Sequence, residues 1–138
     1  MAANTILVGT SGLIPLVLGS LHLTYTFWGP KLLPRDAGVI DAMKGTTMVI
    51  TRETTVWQAW IGFNTTHSMS LMLFGLVYGY FALARPEVLF GSPFLQGVGL
   101  VTLAAFLVLS RAYFFSIPLA GMAIATVLYV AGLVLAGR

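Results

Sequence analysis

The sequence contains no cysteine, and only 8% of its residues are charged. Without thiols the chain forms no disulfide and holds no thiolate-ligated metal or iron–sulfur cluster. Soluble domains carry about 25% charged residues, so this chain has too few charges to cover a water-facing surface. A composition that is 58% hydrophobic therefore predicts an integral membrane protein, with membrane lipid as its first partner.

Basic runs and the common catalytic motifs are also missing. The formal net charge is only +3, and the aromatic residues lie in apolar segments, which argues against a nucleic-acid partner. The sequence contains no phosphate-binding loop, no zinc-ligand spacing and no serine–histidine–acid order. Any chemistry must therefore come from the few polar residues placed within apolar runs.

Four apolar runs account for nearly all of the 138 residues. Since a membrane-spanning helix needs about 20 residues, the runs predict an all-α, integral membrane four-helix bundle. We expect a single transmembrane domain over residues 1–138, with spans at residues 5–28, 55–83, 93–113 and 116–136. Four spans would put both termini on the same side of the membrane.

The only long polar connection lies between the first and second spans. Trp28-Gly29-Pro30 indicates the end of the first span. The residues from Asp36 to Lys44 predict a short helix that ends at Gly45 and lies in the membrane interface.

Lysine and arginine are distributed unevenly between the two sides. Five residues fall on the side of the long connection, and two fall on the other side with the amino terminus. The five are Lys31, Arg35, Lys44, Arg52 and Arg111, and the two are Arg85 and Arg138. The positive-inside rule then places the long connection in the cytoplasm and both termini outside it.

Polar and aromatic residues recur at helical spacing where the second span begins. Glu53, Trp57, Trp60, Asn64 and His67 follow one another at steps of four, three, four and three, which would stack all five on one face of a helix. At the helical rise, His67 would lie about 15 Å beyond Trp57. Ionisable groups at such depth usually face the bundle interior or a wet cavity.

The only other histidine lies in the first span. His22 would lie about 9 Å inside the interface marked by Trp28, on the same side as His67, with Tyr25 one turn away. We therefore predict a polar intramembrane pocket for a small apolar ligand. The candidate catalytic residues are His67, His22 and Asn64, and the candidate ligand-binding residues are Glu53, Trp57, Trp60, Tyr25 and Arg111.

Three functions remain open at this point. The first is an acid–base isomerase or rearrangement enzyme, in which the imidazoles transfer protons and the Asn64 amide stabilises negative charge. The second is a haem b protein with His67 and His22 as metal ligands. The third is a structural or accessory subunit, in which Asn64 and His67 only join helices.

The candidate residues also have simpler interpretations. Trp57 and Trp60 are typical of interfacial anchors as well as of pocket walls. Arg111 and Glu53 can both be interface residues whose charged groups remain in water. Small residues four apart, as in Gly75 with Gly79 and Gly132 with Ala136, allow helices to approach closely. Because they exceed what four helices need internally, we predict a homo-oligomer.

Several of these residues form a motif. His22-x-x-x-Thr26-Phe27, Thr51-Arg52 and Trp57-x-x-Trp60-x-Gly62-Phe63-Asn64-x-x-His67-Ser68 resemble an uncharacterised family of small bacterial four-helix membrane proteins. The resemblance covers most of the chain, and Gly-Phe-Asn-x-x-His-Ser is its most specific part. It implies the four-helix fold and a bacterial inner membrane, but no activity.

Overall fold

The computed structural model describes residues 2–137, and over that range the chain is α-helical without a β-strand. Six helices are formed by these residues: α1 (Ala3–Phe27), α2 (Ala37–Gly45), α3 (Val56–Ala84), α4 (Pro86–Gly91), α5 (Pro93–Tyr113) and α6 (Ser116–Ala136). Helices α1, α3, α5 and α6 are long and apolar enough to cross a membrane. The prediction of an all-α membrane protein with four spans is confirmed, and the predicted bounds agree to within two residues.

Local sequence signals explain where the long helices begin and end. Helix α1 stops at Phe27 because Gly29 adopts a positive φ of 86° and Pro30 follows it, a backbone course that glycine takes without strain. Ser92 caps α5 by accepting a hydrogen bond from the Leu95 amide, with Pro93 in the first turn. These are the usual start and stop signals of helices.

The polar connection forms the predicted short helix and one further feature. Asp36 caps α2 by accepting a hydrogen bond from the Gly38 amide, and the helix ends at Gly45. The chain then makes a single antiparallel bridge between Thr47 and Thr55 immediately before α3. This small hairpin was not predicted.

Helix α4 was also missed. Arg85-Pro86 was expected only to stop the second span, and α3 does end at Ala84. Pro86 then stands in the first turn of a new helix, where its missing amide hydrogen has no cost. Leu89 is fully buried, and the Gln96 side-chain amide donates to the carbonyls of Leu89 and Phe90, which satisfies the end of α4.

The chain divides into two compact units, Met1–Leu18 with Leu71–Arg138, and Gly19–Ser70. The first unit holds the apolar core. In it the Tyr78 ring stacks on Phe74 at 4.5 Å and meets Tyr129 edge-on at 5.8 Å. The Tyr78 and Tyr129 hydroxyls donate to the carbonyls of Leu95 and Gln96, so both polar ends are satisfied inside apolar surroundings.

Small residues of the first unit are used for helix contacts within it. A Cβ on Gly75 would collide with Gly12 and Leu16, and one on Gly132 would collide with Val8. Close approach of the backbones therefore requires glycine at these positions. Because these glycines face neighbours in the same chain, they do not support the homo-oligomer, which stays a prediction.

Replacing the buried Tyr129 by phenylalanine should destabilise the first unit. Tyr129→Phe removes the hydrogen bond to the Gln96 carbonyl, which should cost about 0.5–1.5 kcal/mol of unfolding free energy. Unfolding in mixed detergent micelles measures the change. Tyr80→Phe is the control, because Tyr80 is exposed, and equal losses in both variants would contradict the assigned bond.

Candidate functional site

His22, Asn64 and His67 lie together in the Gly19–Ser70 unit. The Nε2 atom of His22 lies 2.8 Å from Oδ1 of Asn64. The two imidazole rings meet edge to face, with centroids 5.2 Å apart and planes inclined at 79°. Helix α1 supplies one member and α3 the other two. We call these three residues the histidine cluster.

The hydrogen bonds of Asn64 define the tautomer of His22. The Asn64 amide nitrogen donates to the Trp60 carbonyl at 2.7 Å, so the amide oxygen is the atom directed at His22. A carbonyl oxygen only accepts, and His22 therefore donates from Nε2. In the neutral ring, Nδ1 of His22 then carries the lone pair that can accept a proton.

Hydroxyl groups near the cluster are committed to the helix backbone. Thr26 donates to the His22 carbonyl at 2.8 Å, and Ser68 donates to the Asn64 carbonyl at 2.9 Å. Both residues are buried, and this bond to the preceding turn satisfies a hydroxyl inside an apolar segment. The two imidazoles therefore remain the groups suited to proton transfer.

Two candidate ligand-binding residues contact lysines. The Lys31 ammonium donates to the Tyr25 hydroxyl at 2.9 Å and lies 4.1 Å from the centre of its ring. The Lys44 ammonium lies 5.5 Å from the centre of the Trp57 ring. Such contacts are attractive cation–π interactions. The lysines were not among the candidate residues, and no spacing in the sequence connects them to these rings.

The other candidates lie at more exposed positions. Trp60 is 38% exposed, and its carbonyl holds the Asn64 amide. Glu53 was predicted to begin the helical stripe, and this is wrong: it lies in a bend before α3, which starts at Val56. Because Thr55 pairs with Thr47 in the antiparallel bridge, the helix begins only after Glu53. Arg111 is exposed in the last turn of α5, in the first unit.

A haem held between the two histidines does not fit this arrangement. Axial ligation by both would place the iron and its macrocycle between the two rings. The rings instead contact each other directly, and His22 Nε2 already donates to Asn64. Among residues 2–137, no group of three histidine or acidic residues is placed to hold a metal ion.

The first unit carries a separate apolar groove of about 530 Å³. Leucines from α1 and α3 form its sides, and glycines of both helices form part of its surface: Gly9, Gly75 and Gly79. The groove belongs to a different unit from the histidine cluster, and it differs from the predicted polar pocket in character. An apolar concave surface on membrane-spanning helices is suited to hydrocarbon.

The fold and the histidine cluster define the class of this protein, an integral membrane protein of four spanning helices with histidines inside two of its spans. Comparison with protein-family models, with curated proteins and with solved structures finds no match to the chain. The chemistry of the cluster therefore has to be inferred from its own geometry.

The tautomer of His22 gives a direct prediction. Asn64→Leu removes the acceptor of the Nε2 proton, so the His22 ring should shift from one tautomer to a mixture. Ring nitrogen chemical shifts of ¹⁵N-histidine-labelled protein measure this, with His67→Gln used to assign the signals. Thr66→Val, which changes an exposed residue of the same helix, should leave them unchanged. An unaltered spectrum for Asn64→Leu would contradict the proposed hydrogen bond.

Proposed function

We propose that this integral membrane protein binds a small apolar molecule beside the histidine cluster and moves a proton on it. The observation that carries the proposal is the meeting of two imidazoles and one carboxamide from two spanning helices, with the His22–Asn64 contact at 2.8 Å. Polar groups inside a membrane segment are costly and usually mark function. Imidazole is suited to proton transfer because it titrates near neutrality.

The reaction class would be an isomerisation. His67 would take a proton from a carbon atom next to a conjugated system in the ligand, and the electron pair left behind would shift along that system. The proton then returns at a different atom, so the reaction needs no external oxidant, reductant or hydrolytic water. His22, itself held by Asn64, would keep the His67 ring in position through the contact between the two rings.

The orientation of the chain, the type of membrane and the family are part of the same proposal. Lys31, Arg35, Lys44 and Arg52 all lie between α1 and α3, which supports a cytoplasmic location for this connection and external termini. We further propose a bacterial inner membrane and membership of the small four-helix family, on the Gly-Phe-Asn-x-x-His-Ser motif. The histidine cluster would then lie near the cytoplasmic interface of the membrane.

Mass spectrometry of the purified protein tests the proposal. Wild-type protein in mild detergent should retain an apolar compound that is depleted from a double variant, His22→Leu with His67→Leu. The compound should also exchange one carbon-bound hydrogen for deuterium in heavy water while it is bound to the wild type. A variant with Leu21→Ala and Met69→Ala, both exposed positions on the same helices, is the matched control.

The accessory-subunit alternative makes the opposite prediction. The His22–Asn64 hydrogen bond would then only join α1 to α3, and interhelical bonds of this kind stabilise membrane proteins. The double variant would lose stability, and the wild type would retain no specific compound. That result would overturn the proposed function.

A further inference from the structure

Two fully exposed apolar residues form the tip of the hairpin that precedes α3. Val49 and Ile50 are 108% and 90% exposed. They occupy the central positions of a turn closed by the Thr51 amide, which donates to the Met48 carbonyl at 3.3 Å. Turns of this kind favour glycine, proline, asparagine, aspartate and serine. Two adjacent β-branched residues are therefore not explained by the needs of the turn.

The turn is tied to the start of a membrane-spanning helix. The Met48 amide donates to the Thr54 carbonyl at 3.1 Å, and the Val56 amide, at the first residue of α3, donates to the Thr46 carbonyl at 2.9 Å. The Thr47–Thr55 bridge closes the same hairpin. The apolar tip is thus continuous with the segment that enters the lipid.

One exposed basic residue lies next to the tip, and another lies near the start of α3. Arg52 follows Ile50 by two residues and is exposed, and the exposed Lys44 extends from α2 over the Trp57 ring. An apolar contact with cations beside it is the arrangement by which interfacial segments bind a bilayer, with the side chains among the acyl chains and the cations at lipid phosphates.

We propose that the Val49–Ile50 turn inserts into the interface of the bilayer that α3 crosses. The turn anchors the connection between α1 and α3 at the membrane surface and fixes the level at which α3 enters the lipid. This inference is independent of the histidine cluster, because it rests on the hairpin alone.

Site-specific fluorescence tests the insertion. The chain has no cysteine, so Val49→Cys and Ile50→Cys each accept a single environment-sensitive nitrobenzoxadiazole label. The labelled full chain is reconstituted at low protein density in phosphatidylcholine vesicles that contain a minor share of phosphatidylglycerol. Glu53→Cys is the matched control, because it lies in the same hairpin and is exposed.

Both tip labels should show blue-shifted emission and should be quenched by lipid-attached doxyl groups. Iodide, present on both sides of the membrane, should not quench them. The Glu53→Cys label should be quenched by iodide. Iodide quenching of the tip labels equal to that control would overturn the proposal. Shielding that disappears on dilution of the protein in lipid would also overturn it, because a second copy of the chain would then cover the tip.

Discussion

Under the proposed function, His67→Gln is expected to slow proton exchange on the apolar ligand by about 10²–10⁴-fold, the usual contribution of a positioned acid or base. Glutamine keeps much of the volume and polarity of the ring, and it has no group that titrates near neutrality. The measurement is the rate at which the ligand extracted from the protein gains deuterium in heavy water. Binding should weaken much less than exchange, because the Asn64 and His22 contact remains.

Two comparisons separate chemistry from folding in this experiment. Met69→Ala changes an exposed residue two positions away on α3 and should exchange at the wild-type rate. The unfolding midpoint of His67→Gln should stay close to that of the wild type, since His67 is only half-buried. An unchanged exchange rate would remove His67 from the reaction, and equal losses of stability and exchange would favour the structural role.

The long helices were predictable because their signals are local. Apolar length defines each span, and Gly29, Ser92 and Pro93 mark their ends by backbone preferences that need no tertiary information. Helix α4 was missed because Pro86 serves equally well as a stop and as a first-turn residue. Which role it takes depends on the burial of Leu89, which is a tertiary property.

The site was predictable only in part for the same reason. Helical spacing placed Trp57, Trp60, Asn64 and His67 on one helix, and all four do lie on α3. Glu53 fits the same spacing, but the hairpin hydrogen bonds to Thr54 and Thr46 hold the preceding chain outside the helix. The pairing of His22 with Asn64, across 42 positions of sequence, depends on how two helices pack, which periodicity does not encode.

Two glycines on α3 show most clearly that spacing alone does not identify which small residue lies at a helix contact. Gly75 and Gly79 are one turn apart on α3 and look equivalent in the sequence. A Cβ on Gly75 would lie 2.6 Å from the Leu16 Cβ and against the Gly12 carbonyl, whereas one on Gly79 would meet nothing within 4 Å. Gly75→Ala should therefore cost about 1–3 kcal/mol through overpacking, despite the higher helix propensity of alanine.

Gly79→Ala is the matched control, since it makes the same chemical change on the same helix. It should be neutral or stabilise the helix by up to about 1 kcal/mol. The difference between the two variants, measured by unfolding in mixed micelles, isolates the contact of Gly75 with α1. Equal effects would mean that the backbones of Gly12 and Gly75 do not approach closely in the membrane. The small residues on α3 would then be available to contact another chain, which would again support the predicted homo-oligomer.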